Sequence, residues 1–461
     1  MEIIKGKDSY MKNRKRFLIL LLASSVFFLT LLLVSGVELY NDSQQYIDMH
    51  IHRDPGYCLF LWIFRVIGGE NYLLLVGIAQ AFLAVWCATD FANYFAEKFS
   101  LGKWSTFVIF ICTLIPHIIT PLFSASRIVL SAGIMSEALA LPLFLVFVKE
   151  LHKAAVGGDK KAMISSFLLS VVISLVRAQL TASILIWAIV LALGALFKKQ
   201  YKKWLLILLA VIVFFVGKSM IVKTYNYFVQ GQFINTTYGK VNTLTNILYA
   251  SDRSQGEGIE NEELRVVFYM LYDLMDEREY NYQYGGDTLV ERVDYLESVH
   301  DGLKFDVCEA GLKEYIKAQG VEGYLPLDIK ADEYAGELIK EIFGGCAGRW
   351  ISHYFVLGMW GAIRNVAVVH PILGIYALAV GLLAVIITIA FFKNNRESQE
   401  AWLMLIALLS IAGISFSTAF TIMCLSRYMV YGFAGFYTAA YLMLLAIIKR
   451  YENMKEAKDG I

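Results

Sequence analysis

Charge is scarce in this sequence. Asp, Glu, Lys and Arg make up 18% of its 461 residues, against roughly a quarter in soluble domains. A chain so poor in charge cannot cover a water-facing surface, which excludes an ordinary cytosolic protein as well as a disordered one. Proline and cysteine each number only 6, which removes the collagen-like, Pro-rich and small disulfide-scaffold classes. There is no P-loop and no dinucleotide-binding glycine pattern in a strand-turn-helix setting. Nor is there a basic, aromatic-rich surface suited to nucleic acid. What the chain has instead is apolar: 58% hydrophobic residues, 14% aromatics and a mean hydropathy of +0.56. That composition belongs in lipid, and the chain reads as an all-α polytopic membrane protein.

Apolar runs near the length that crosses a bilayer as a helix fall at 17–36, 72–89, 104–123, 134–148, 162–176, 180–197, 204–221, 371–392, 401–420 and 428–448. This gives about ten transmembrane helices. Lys12, Arg14, Lys15 and Arg16 precede the first run and no small-residue cleavage site follows it, so it reads as a retained helix rather than a signal peptide. Basic residues in tails and short loops fix the orientation: with the N-terminus inside, about 22 lie on the inner side and about six on the outer. Both termini are therefore expected in the cytoplasm of a cell-membrane protein.

The net charge of +1 conceals two opposed regions. Residues 223–349 hold 12 basic and 23 acidic side chains, a net of −11, which leaves +12 for the rest. Three parts follow: an N-terminal transmembrane module, 1–222, with a first outer loop at 37–71; an acidic, mainly helical extracytoplasmic subdomain, 223–350; and an interfacial segment with the C-terminal helices, 351–461. In the subdomain Leu264, Phe268, Leu271 and Leu274 recur at helical spacing, as does the stretch 334–343. Trp350, His353, Trp360 and Arg364 among apolar residues suit an interfacial helix. Cys308 and Cys346 lie in the subdomain either as a pair or as two buried thiols. Its Tyr-rich run, 269–284, suits either core packing or stacking on sugar rings.

The first outer loop is too polar to span and too patterned for a plain linker. Asp42 and Tyr46 share one helical face, and Pro55-Gly56 breaks that juxtamembrane helix before a second apolar one at 59–67. The strings Asp42-Ser43-Gln44-Gln45-Tyr46, Arg53-Asp54-Pro55-Gly56-Tyr57 and Leu59-Phe60-Leu61 are similar to the first outer loop of the GT-C superfamily of integral-membrane glycosyltransferases. Ser136-Glu137-Ala138-Leu139, Arg177 and Ser426-Arg427-Tyr428 resemble features of its bacterial protein-mannosyltransferase-like (family 39-like) branch. The resemblance covers roughly the first half of the chain and the last helix; residues 223–370 match nothing in it. Cys58 stands where that branch often has Pro.

The resemblance implies an enzyme that moves a sugar from a polyprenyl-phosphate donor to a hydroxyl acceptor on a glycan, lipid or protein, with inversion, at the outer membrane face. Such transfer needs a base for the acceptor proton. Asp42 is the first candidate, its alternative role being an N-cap; Glu38, Asp48 and Asp54 are weaker. Arg53, Arg127, Arg177 and Arg427, at outer helix ends, are candidates to bind the donor phosphate, since guanidinium forks match phosphate oxygens; snorkelling or structural pairing is the alternative. Glu137 is a second catalytic carboxylate candidate or the partner of Arg127. Tyr46, Tyr57 and Tyr428 would support the loops. His50 and His52 beside Asp48 and Asp54 are metal-like, yet alternation is poor ligand geometry on a helix. No metal site is assigned, and a divalent ion stays open as the sole cofactor. Other classes are a lipid-linked glycan flippase or transporter, disfavoured because charges gather at helix ends, and a polysaccharide polymerase or ligase, disfavoured by the acidic outer region.

Overall fold

The computed structural model describes residues 2–123, 127–367 and 371–459, with backbone alone for 2–12, 371–372 and 458–459. Its helices in chain order are α1 (Glu2–Ser35), α2 (Ser43–Ile47), α3 (Pro55–Gly68), α4 (Tyr72–Lys98), α5 (Lys103–Phe123), α6 (Ser136–Gly157), α7 (Lys160–Val176), α8 (Ala182–Phe197), α9 (Lys202–Gln230), α10 (Gly239–Tyr249), α11 (Glu262–Glu277), α12 (Leu289–Gly302), α13 (Ala310–Ala318), α14 (Tyr324–Val366), α15 (Pro371–Asn394), α16 (Gln399–Ala419) and α17 (Phe433–Asp459). Among the described residues the only extended pairing is an isolated bridge between Glu38 and Gly133.

Eight helical stretches among the described residues are long and apolar enough to cross a bilayer, in α1, α3–α4, α5, α8, α9, α15, α16 and α17. They turn large apolar side chains outward: Leu33 is 83% exposed, Leu205 72% and Ile375 72%. Lipid is the solvent that tolerates such a surface. The chain is a multi-pass helical membrane protein. The two remaining runs expected to span are also helical, but α6 carries Glu137, Lys149, Glu150 and Lys153, and α7 has only 17 residues. Packing explains the charges on α6. It lies between α4, α7, α16 and α17 and is buried along nearly all its length, so its ionisable groups meet protein rather than lipid.

The large polar region folds as α10–α13 and the first half of α14 around Leu244, Phe268, Leu271, Leu296, Leu312 and Leu338, all buried. Asn261 caps α11 and a Thr288–Glu291 capping box opens α12. Leu264, Phe268 and Leu271 lie on the buried face of α11, and Leu274 is half-buried. A π-helical stretch, Leu303–Glu309, joins α12 to α13. Cys308 and Cys346 are free, buried thiols, not a disulfide. Within the Tyr-rich run, Tyr282 lies under the Arg349 guanidinium at 3.8 Å and donates to Asp252 at 2.6 Å, so it serves packing.

The expected boundary at 350 falls inside α14. This 43-residue helix, roughly 65 Å long, runs unbroken from the subdomain onto α16; the expected interfacial stretch to His370 extends past the described residues at 367. Gly358 and Gly361 allow the contact: a Cβ would meet the Phe416 ring at 2.4 Å and Cys424 or Ser415 at 2.9 Å. Pro55 opens α3 at its first turn rather than simply ending the helix before it. Next to it, Gly56 packs on the end of α7, where a Cβ would lie 2.7 Å from the Leu175 carbonyl carbon and oxygen. Backbone cannot rotate away, so Gly56→Ala is expected to lower stability by about 1–3 kcal/mol, whereas Gly217→Ala, with nothing within 4 Å, is expected to be neutral or stabilising. Thermal unfolding of the purified variants in detergent compares the two.

Candidate functional site

The site forms where four chain segments meet at the end of the bundle that carries the subdomain. α1 stops at Gly36, whose φ of 68° suits glycine. The chain then pairs with the segment before α6, Ile134 N–H donating to the Glu38 carbonyl at 2.9 Å. Gly133 leaves room for Tyr40; a Cβ there would sit 2.6 Å from its ring. Ser43 locks the start of α2, its Oγ donating to the Ile134 carbonyl at 2.7 Å and accepting from Tyr40 N–H at 2.8 Å.

This frees Asp42. It occupies the N-cap position of α2, but its side chain makes no capping bond. The carboxylate instead accepts from Arg53 Nη2 at 2.8 Å through Oδ1 and meets Arg427 Nη2 at 3.4 Å through Oδ2, with about a third of the side chain exposed. Arg53 is oriented by Gln45, whose Oε1 accepts from its Nε at 2.8 Å, and lies 4.7 Å over the Tyr46 ring. Arg427 donates to the Tyr428 hydroxyl at 2.7 Å.

A buried ion pair lies directly beneath. Glu137, 3% exposed at the start of α6, binds Arg177 Nη1 at 2.7 Å at the end of α7. Glu137 therefore pairs with Arg177, 40 residues away, and not with Arg127. Ser136 Oγ accepts from Arg177 at 2.9 Å and from the Tyr46 hydroxyl at 3.1 Å, and donates to Glu137 at 3.2 Å. Arg177 and Arg427 both stack on Tyr428, at 4.5 and 4.7 Å. Tyr57 lies one layer deeper, bonded through Gln80 to the Gly133 carbonyl. Arg127 is exposed, with φ 49°, and among the described residues no ion pair joins it to the cluster.

Burial by itself would raise the Asp42 pKa, but Arg53, Arg427 and then Arg177 outweigh it and hold the carboxyl below its ordinary 3.8. Asp54 goes the other way: burial raises it, with Lys218 and Arg53 only partly opposing. The subdomain adds a cation that sequence reasoning missed. Lys304, half-buried on the π-helical stretch, sits 4.7 Å over the Tyr238 ring and has no carboxylate in salt-bridge range among the described residues. Burial lowers its pKa, and the charges of Asp301, Arg53, Glu309 and Asp42 all act on it. Tyr238 lies 5.3 Å from His52, which bonds Gln45 at 3.0 Å and Asp328 at 3.3 Å. His50 and His52 stack edge to face at 5.2 Å, and no cluster of three or more His, Cys, Asp or Glu among the described residues is arranged to hold a metal.

An apolar groove of about 640 Å³ runs between α8 and α16, lined by Leu185, Ile186, Ile189, Leu409, Phe416 and Phe420. Gln179, at its polar end, lies two residues from Arg177 and donates to the Tyr428 carbonyl at 3.3 Å. Gln179 thus links the groove to the segment that carries Arg427 and Tyr428. Comparison with protein-family models, with curated proteins and with solved structures gives no match for this chain.

Removing one member of a buried pair strands the other charge. Glu137→Gln is therefore expected to cost about 3–5 kcal/mol, and Glu137→Gln with Arg177→Met to recover part of that loss. Unfolding of both variants, in detergent and at neutral pH, measures the difference.

Proposed function

We propose that this chain is a membrane glycosyltransferase of GT-C type, moving a sugar from a polyprenyl-phosphate donor to a hydroxyl acceptor. The observation that carries the reading is Asp42, an ionised carboxylate shared by Arg53 and Arg427, in a cluster whose Arg177 stands two residues from Gln179 at the polar end of an apolar groove. An amphiphile with an anionic head fits that combination: the prenyl chain in the α8–α16 groove and the phosphate among the guanidinium groups. The ten-span topology, with both termini cytoplasmic and the site outside, belongs to the same proposal and rests on the distribution of basic residues.

In this mechanism the acceptor hydroxyl gives its proton to Asp42 as its oxygen attacks the anomeric carbon. The bond from that carbon to the phosphate oxygen breaks, and Arg427 and Arg53 stabilise the departing phosphate. Inversion follows from the single displacement that the resemblance implies. Asp42 starts as a weak base because two arginines hold it. The 3.4 Å contact with Arg427 is the looser; a phosphate that draws Arg427 away frees Oδ2 and raises the basicity of the carboxylate when donor is bound. Glu137 and Arg177 act from below, through Ser136 and Tyr428, as positioning residues.

Reconstitution with a panel of polyprenyl-phosphate sugars tests the reading. Donor consumption is expected, and Asp42→Asn is expected to cut kcat by about 10²–10⁴-fold; an Asp42→Asn protein at the wild-type rate would remove the assignment, and intact donor carried across the bilayer would replace it with a flippase. A pH profile adds a signed check. Protonation of Asp42 abolishes the base, so kcat/KM is expected to stay level down past pH 3.8, the carboxyl's ordinary value. Arg427→Gln removes one stabilising cation and is expected to move that acid limb upward.

A further inference from the structure

A second cavity lies at the other end of the bundle, unrelated to the site above. Its volume is about 470 Å³ and it opens between α7, α8 and α9, with Phe167, Trp187, Leu191 and Ile207 among its walls. Lys160, Lys198 and Lys203 stand at its rim. α7 runs from this rim to Arg177, and its 17 residues separate the two sites by roughly 25 Å.

The rim has an excess of positive charge. The two short turns that bound the cavity, with the first residues of α7 and α9 that follow them, carry Lys160, Lys161, Lys198, Lys199, Lys202 and Lys203 against a single acid, Asp159. Asp159 is already engaged, its Oδ1 accepting from Lys161 N–H at 2.8 Å and Ala162 N–H at 3.3 Å to cap α7. The nearby lysines that do find carboxylates are Lys149 and Lys153 on α6; among the described residues none of the six has an ion pair. Trp187 donates its indole N–H to the Met163 carbonyl at 3.3 Å, so the interior asks for nothing polar. An apolar hole of ligand size with unneutralised ammonium groups at one end, between membrane helices, matches an anionic lipid by charge and by polarity together.

We propose that this cavity binds an anionic phospholipid of the surrounding leaflet, one acyl chain lying between Phe167, Trp187, Leu191 and Ile207 and the phosphate seated among Lys160, Lys198 and Lys203. The ordinary role of such lysines is to anchor topology. That role is indifferent to which of the six are present and to whether the cavity is open, and this separates the two accounts.

The test is native mass spectrometry of the full chain taken from vesicles of equal phosphatidylglycerol and phosphatidylcholine. Wild type is expected to retain phosphatidylglycerol over phosphatidylcholine by on the order of tenfold or more, given about fivefold per lysine near an anionic headgroup. Lys160→Gln, Lys198→Gln and Lys203→Gln together are expected to bring the ratio near one. Lys161→Gln, Lys199→Gln and Lys202→Gln together remove the same charge beside the cavity and are expected to keep the preference. Ala210→Trp, on the exposed helix α9, fills the cavity with every lysine in place and is expected to lower phosphatidylglycerol retention. Equal retention of both lipids by wild type, equal loss in the two triple variants, or no effect of Ala210→Trp would each overturn the proposal.

Discussion

The Glu137–Arg177 ion pair holds the site together. It joins the start of α6 to the end of α7, and each partner then fixes a further layer. Through Ser136 the pair sets the hydroxyl of Tyr46, and the Tyr46 ring carries Arg53. Through the Tyr428 ring, Arg177 sets the plane against which Arg427 lies. The two guanidinium groups that meet Asp42 thus arrive from opposite ends of the chain, yet both rest on one buried pair. Coulomb attraction between groups 2.7 Å apart is strong where little water enters, and three hydrogen bonds at Ser136 leave its hydroxyl fully used. Among the described residues the Nε atoms of Arg177 and Arg427 are buried without a partner, a remaining cost.

The same rule shapes the opposite end of the bundle. Lys149 of α6 meets Asp90 and Glu150, and His152 bridges the Tyr94 hydroxyl and the Gln399 carbonyl at 3.0 Å each. A charge in the membrane must be enclosed and partnered, so α6 took the centre of the bundle while α9, with no ionisable residue from Trp204 to Gly217 and its Lys218 bonded to Thr181, stayed at the rim. The lysines around the second cavity depart from this rule. They lie at helix ends where water and headgroups replace protein partners, and this leaves them free for an external anion.

Much of this was legible beforehand because lipid enforces length and polarity with little freedom. The apolar runs became helices; Arg53 and Arg427 were selected by residue type and by their place at outer helix ends, and Asp42 by residue type together with the family resemblance. Partner choice was another matter. Arg127 was the one partner the sequence suggested for Glu137; the packing of α6 against α7 brings Arg177 in instead, and Arg127 adopts a positive φ outside the cluster. Lys304 carried no motif at all. Its place depends on a π-helical stretch and on the docking of the subdomain through His52 and Asp328, 276 residues apart, with Lys313 closing on Asp328. The continuity of α14 across 350 was hidden for a related reason: its composition turns from acidic to apolar midway, which looks like a boundary, while a helix backbone is indifferent to that change.

Charge balance decides what sort of ligand the subdomain-side site favours. Arg177 is paired with Glu137, while among the described residues Arg53 and Arg427 share Asp42 as their ion-pair partner and Lys304 has none, Glu137 acting on Arg427 and Glu309 on Lys304 from further off. Asp301 also acts on Arg427 and Lys304, yet its side chain is 86% exposed, so water screens most of its effect. A surplus of positive charge in a half-buried cleft is costly until an anion enters. A cation carrier would reverse this balance, and a neutral-sugar site would have no use for it. In the proposed reaction a phosphate ester would answer it, and the carboxylate it displaced from Arg427 would be left beside the reacting carbon with its basicity restored. On that proposal the base would be weaker while the site is empty and stronger once the donor is seated, which would tie proton removal to the presence of the leaving group it serves.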